Sequence, residues 1–229
     1  MGKVLQSRHL SVWGRALIII FLIAIWSGPA SAHVVVKELS KMSGGEAALV
    51  YLGLGYRHIL PLGFDHILFI LSLFLLSPKI KPLLTQATAF TVAHSITLGL
   101  AMYGVITPPV KIVEPLIAVS ILFVALENIF SPKLKASRIG VVFLFGLIHG
   151  LGFASVLSTL GLPKTSYLFS LIMFNIGVEL GQLTIIVAAY FLLAKWFGKK
   201  PNYRKFVVMP LSAIIVVIAG FWTIQRIFF

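Results

Sequence analysis

Asp65, His66, His94, His149 and Glu179 interrupt stretches of sequence that are otherwise apolar. Imidazole nitrogens and carboxylate oxygens together make a ligand set for a divalent metal ion; Ni, Co, Zn and ferrous iron all suit it, and ligand type alone does not choose among them. The chain has no cysteine, which excludes thiolate metal sites, disulfides and cysteine nucleophiles. Not every one of these residues has to touch a metal, since a carboxylate can instead accept a hydrogen bond from a ligating imidazole and fix its orientation.

The elements that would position these residues are read from hydropathy. Of 229 residues, 59% are hydrophobic and 11% charged, and the mean hydropathy is +1.04; an average soluble domain has about 25% charged residues. Apolar stretches recur at about 20 residues each, the length that spans a hydrocarbon core of roughly 30 Å. The solvent, and a partner of the chain, is therefore the lipid bilayer. The formal net charge of +13 comes from Lys and Arg in short segments between apolar runs rather than on one polar face, which argues for membrane topology and against nucleic acid.

The expected architecture is all-α: a polytopic transmembrane helical bundle of about six helices behind a cleavable signal peptide. Residues 1–32 carry the signal pattern, with Lys3, Arg8 and Arg15 at the start, an apolar run from Ala16 to Trp26, and Ala30-Ser31-Ala32 at the end. Residues 33–45 then form a short periplasmic segment and residues 46–229 the transmembrane domain. Cleavage after Ala32 would leave His33 at the N-terminus, where the freed amine and the ring can chelate a metal together.

Segments 46–77, 82–105, 112–130, 138–161, 165–195 and 206–228 are expected to be helical, separated by turns rich in Pro, Gly, Ser and Lys. The first would extend about 48 Å as a single helix at about 1.5 Å per residue, well beyond the bilayer core. Pro61 and Gly63 predict a break there, with a second helix from about Leu62. If the mature N-terminus faces the periplasm of a bacterial inner membrane, ten basic residues from Lys79 to Lys205 fall on the inner side and five (Lys37, Lys41, Lys111, Lys164 and Arg226) outside. That distribution agrees with the positive-inside rule.

Counting from the inner ends of these segments puts Asp65, His66, His94 and His149 each about 17 Å deep at about 1.5 Å per residue, with Glu179 also near mid-depth. A charged residue at the bilayer centre costs roughly 2.5 to 3.5 kcal/mol, so five scattered ionisable groups would oppose insertion, whereas clustered around a cation they compensate one another. Asn175, Glu179 and Gln182 follow i, i+4, i+7 spacing and form one polar stripe. Thr88, Thr91, Ser95 and Thr97 surround His94, and Gly146-xxx-Gly150 lets a partner helix approach beside His149. His58 lies higher and outward as a first ligand on the way in, and Glu127 with Asn128 is a candidate for the inner way out.

The run His58-Ile-Leu-Pro-Leu-Gly-Phe-Asp65-His66-Ile-Leu-Phe, followed by Phe90-Thr-Val-Ala-His94-Ser95, resembles the HupE/UreJ family of membrane proteins. The likeness continues through Glu114-Pro-Leu-Ile-Ala, Ala125-Leu-Glu127-Asn128, Phe145-Gly-Leu-Ile-His149-Gly-Leu-Gly-Phe and Phe174-Asn175-Ile-Gly-Val-Glu179-Leu-Gly-Gln182, covering roughly residues 46 to 185. The resemblance implies a six-helix membrane fold after a cleaved leader and a role in moving nickel or cobalt for hydrogenase or urease maturation. Hydrogenase-linked members read His-Pro-x-x-Gly-x-Asp-His. Here one extra residue separates His58 from Asp65 and Pro61 lies later, so the chain is similar to the second branch of the family.

The leading expectation is a transporter that binds a divalent metal at His58, Asp65, His66, His94, His149 and Glu179. The alternatives are an intramembrane zinc hydrolase, in which three histidines and a carboxylate hold the metal beside an open position for water, and a structural metal-binding membrane protein. A homo-oligomer is compatible with either.

Overall fold

The structure, a computed structural model, describes residues 44–77, 79–107, 109–131, 133–160, 167–198 and 200–229, without the side chains of 155–160. The signal peptide, most of the 33–45 segment and His33 lie outside the described residues. Seven helical segments and no strand occur among the described residues: α1 Gly44–Ile59, α2 Phe64–Leu76, α3 Ile80–Met102, α4 Val110–Phe130, α5 Arg138–Leu160, α6 Tyr167–Ala189 and α7 Met209–Phe228. A π turn over Tyr190–Ala194 carries α6 on to Phe197, and another over Arg204–Val208 leads into α7.

The helices associate mainly as three pairs, α3 along α5, α1 along α6 and α4 along α7, with the short α2 set between α4 and α6. Being central, α2 is buried almost all round: His66, Ile67, Phe69, Ile70, Ser72, Leu73, Phe74 and Leu75 are all enclosed. The outer helices show the opposite arrangement. Val92, Ile96 and Leu100 on α3, and Leu168, Ile172, Ile176 and Leu180 on α6, are exposed apolar side chains at four-residue spacing, while Gln86, His94, Ser120, Asn128, Arg138, His149, Gln182 and Ser212 are buried. Apolar stripes outward and polar groups inward are what a hydrocarbon solvent selects.

Among the described residues three helices are long and apolar enough to cross a membrane, over Val110–Phe130, Tyr167–Phe197 and Arg204–Phe228, and α1 with α2 would make a fourth span as a bent pair. Of the six expected crossings, the two that do not qualify are α3 and α5. Although α3 has 23 residues, Thr85, Gln86, Thr88, Thr91, His94, Ser95 and Thr97 dilute its hydropathy. For α5 only the part Arg138–Ala154 is described with its side chains, and that part is apolar.

The expected break after His58 is present, and α1 and α2 meet at 67°. The carbonyls at the end of α1 are satisfied locally, with the Leu62 N–H donating to Arg57 O at 3.3 Å and the Gly63 N–H to Ile59 O at 3.2 Å. Gly63 is needed for this close return: a Cβ there would stand 2.2 Å from the His58 carbonyl oxygen.

Backbone contact without side chains also joins α3 to α5. A Cβ at Gly150 would meet the His94 carbonyl oxygen and Thr97 Oγ1, each at 2.3 Å, and the Thr97 hydroxyl donates to Leu147 O across the same seam at 2.7 Å. Gly150→Ala is therefore expected to destabilise the protein by about 1 to 3 kcal/mol through overpacking. Gly140→Ala, on the same helix with nothing within 4 Å of its added Cβ, should be neutral or slightly stabilising. Denaturant titration of both variants in detergent measures the difference, and equal stabilities would show that the seam is not tight.

Candidate metal centre

Four imidazoles converge where α1, α2, α3 and α5 cross. The bend at Pro61 turns the end of α1 back over α2, so His58 and His66 stand with ring centroids 4.5 Å apart. His94 from α3 is 5.8 Å from His58 and 5.9 Å from His66, and His149 from α5 is 5.0 Å from His66. One nitrogen from each of His58, His66 and His94 lies within 4.8 Å of the others. A tetrahedral shell with bonds of about 2.0 to 2.1 Å places its nitrogens about 3.3 Å apart, so these three nitrogens stand somewhat wider than a closed shell, and His149 lies outside this close group.

The surroundings are aromatic. Phe153 lies 3.8 Å from the His58 ring and stacks on Phe174 at 5.2 Å; Phe90 and Phe69 flank His149 at 5.0 and 5.3 Å. Within this wall His58 Nε2, His66 Nε2, both nitrogens of His94 and His149 Nδ1 are buried with no hydrogen-bond partner within 3.5 Å among the described residues. A buried polar atom left unpaired costs roughly 1 to 3 kcal/mol. Such nitrogens gathered at one point are expensive as a packing arrangement; each neutral ring has one lone-pair nitrogen to offer, so the four rings fit a cation that accepts up to four lone pairs.

The carboxylates expected at the same level are placed elsewhere. Asp65 lies in the first turn of α2, where both its oxygens are 3.1 Å from Arg226 Nη2 of α7. Adjacent residues on a helix diverge by about 100°, so Asp65 cannot face the point that His66 faces. Glu179 accepts a hydrogen bond from the Thr88 hydroxyl at 2.8 Å. The pair sits in a groove of about 460 Å³ between α3 and α6, lined by Thr91, Ser95 and Asn175 on its polar side and by Val92, Ile96 and Ile172 toward the bilayer. His58, expected higher and outward, belongs to the cluster itself because the bend brings it down.

The remaining candidates serve the bundle. Ser95 donates to the Thr91 carbonyl of its own helix at 2.7 Å; Asn175 donates through Nδ2 to Leu171 O at 2.8 Å and its side chain also interacts with His94. Gln182 is enclosed, with neither amide atom partnered among the described residues. Glu127 is ion-paired at 3.2 Å with Arg138, which also donates to Asn128 Oδ1 at 3.2 Å; Asn128 in turn donates to Ser72 O at 2.8 Å and Ser212 Oγ at 3.3 Å. This network joins α2, α4, α5 and α7 at one end of the bundle.

Sequence reasoning did not find Arg226 as the partner of Asp65 or Ser120 as the partner of His149. Arg226 was readable as a lone charge near the end of an apolar run, but nothing in its spacing points to a residue 161 positions away. Ser120 is a single small polar residue in α4 with no motif around it.

No curated protein and no solved structure matches the chain. The family model described as HupE / UreJ protein matches residues 33–226, a stretch that contains all four clustered histidines and the Asp65–Arg226 pair, and the chain belongs to that family.

Proposed function

We propose that this protein moves a divalent transition-metal ion, nickel- or cobalt-like, across a bacterial inner membrane, with its mature N-terminus on the periplasmic side. The observation that carries this reading is the group of four imidazole rings, His58, His66, His94 and His149, each with a buried nitrogen that lacks a hydrogen-bond partner, in an aromatic-walled enclosure. Neutral imidazoles suit first-row divalent ions, and each can bind only when its ligating nitrogen carries a lone pair, so metal binding and proton release are linked.

The ligand set also bears on how long an ion stays. Neither Asp65 nor Glu179 belongs to the group of close ligand atoms, so an ion held by imidazoles keeps its double charge in a low-dielectric surrounding. That is unfavourable for prolonged retention and suits passage. Asp65, held by Arg226 at the start of α2, faces away from the cluster. A hydrolase would need a carboxylate placed as base beside the metal; Glu179 is tied to Thr88 instead, and the groove it lines does not bring it to the histidines.

Uptake of Ni²⁺ or Co²⁺ into proteoliposomes holding the purified protein is the test. Saturable, metal-dependent flux is expected, falling to the level of empty vesicles in His66→Ala. Intact metal binding without flux would sink transport and leave the metal centre standing.

A further inference from the structure

The buried serine of α4 lies between a carbonyl of its own helix and the His149 ring. The Ser120 hydroxyl lies 2.7 Å from the Ile117 carbonyl oxygen one turn back on its own helix, and its oxygen lies 2.9 Å from His149 Nε2. A serine hydroxyl has one hydrogen and two lone pairs. The hydrogen is spent on the Ile117 carbonyl at the shorter distance, so toward the ring Ser120 can only accept. His149 Nε2 must then be the N–H donor, and since a neutral imidazole carries one N–H, Nδ1 holds the lone pair. Nδ1 is the buried nitrogen of this ring with no partner, and the ring stands 5.0 Å from His66.

We propose that Ser120 is a positioning residue that locks His149 in the Nε2–H tautomer and so presents Nδ1 to the cluster as a fourth metal ligand. This rests on the metal-binding reading above. Three features act together. Phe69 and Phe90 pack together against the ring, Ser120 sets its tautomer, and α4 thereby supports the centre without supplying a ligand of its own. A partner that holds the far nitrogen of a ligating histidine typically governs about 10- to 100-fold in metal affinity.

The test uses the full-length protein in detergent with ¹⁵N-labelled histidine, His149→Gln serving to assign the ring signals. In the metal-free wild type His149 Nε2 should be protonated and Nδ1 not. Ser120→Ala should shift the tautomer toward a mixture, weaken Co²⁺ binding about 10- to 100-fold and change the visible spectrum of bound Co²⁺. Ser120→Thr, which keeps the hydroxyl, should restore both. A protonated Nδ1 in the wild type, or an unchanged tautomer and Co²⁺ spectrum in Ser120→Ala, overturns the assignment while leaving the metal centre in place. A wild type that binds no Co²⁺ overturns the metal reading itself, and the role of Ser120 with it.

Discussion

His94→Ala should lower the affinity for Ni²⁺ or Co²⁺ by more than about 100-fold, the upper range for losing even an outer partner of a ligand, while leaving the fold nearly as stable as the wild type. The two halves of this expectation have different causes. His94 contributes one of the three nitrogens within 4.8 Å of one another, so its removal takes a ligand from the centre. Truncation also opens a cavity, which by itself destabilises a buried site, but it removes at least one unpartnered nitrogen at the same time, and relieving it offsets roughly 1 to 3 kcal/mol. A histidine kept for structure would behave in the opposite way, with stability falling and metal content unchanged.

Isothermal titration and elemental analysis of the purified variant, beside denaturant unfolding, separate these cases. Ser95→Ala is the matched control one residue away: its hydroxyl bonds only within its own helix, and its loss should leave affinity unchanged. Wild-type metal content in His94→Ala would remove the proposed centre.

Arg138→Ala carries the largest expected loss of stability, about 3 kcal/mol, the lower end for breaking a buried pair, because it removes a buried guanidinium and leaves the partly buried Glu127 carboxylate uncompensated. Arg138 is 1% exposed and Glu127 18%, so water screens the pair poorly. The same guanidinium donates to Asn128 Oδ1 and to the Ser72 carbonyl at 3.4 Å, so its loss loosens contacts among α2, α4 and α5 together. A neutral replacement of both partners, Arg138→Met with Glu127→Gln, should recover most of the loss, since it removes the stranded charge and keeps much of the volume. Unfolding midpoints of the single and double variants decide it. If the single variant costs under about 1 kcal/mol, below the lower range for a broken buried pair, the pair is a surface contact in energetic terms. Metal affinity should change little, since none of these residues belongs to the histidine group.

Much of the architecture was legible in the order of residues. The expected segments 82–105, 112–130 and 138–161 correspond to α3 Ile80–Met102, α4 Val110–Phe130 and α5 Arg138–Leu160. Lipid offers the backbone no hydrogen bonds, so each segment has to satisfy its own as a helix, and hydropathy marks where that happens. The break after His58 was legible for a similarly local reason, since proline has no N–H to continue the ladder. Family membership followed from motifs that are themselves local.

The partners of the polar residues were not legible in this way. Counting from helix ends gives depth alone, and a common depth admits any rotation of each helix about its axis. Asp65 and His66 share a level, yet their neighbouring places on one turn send them to Arg226 and to the histidines respectively. Glu179 shares it too and faces Thr88. By itself the sequence determined that the solvent is lipid, where the helices run and which residues are too polar to face that solvent. Only the tertiary structure decided that four histidines meet while both carboxylates turn aside, because azimuth is set by how helices pack, through the bend at Pro61 and the glycine seam at Gly150, and packing has no signature in the spacing of a single chain.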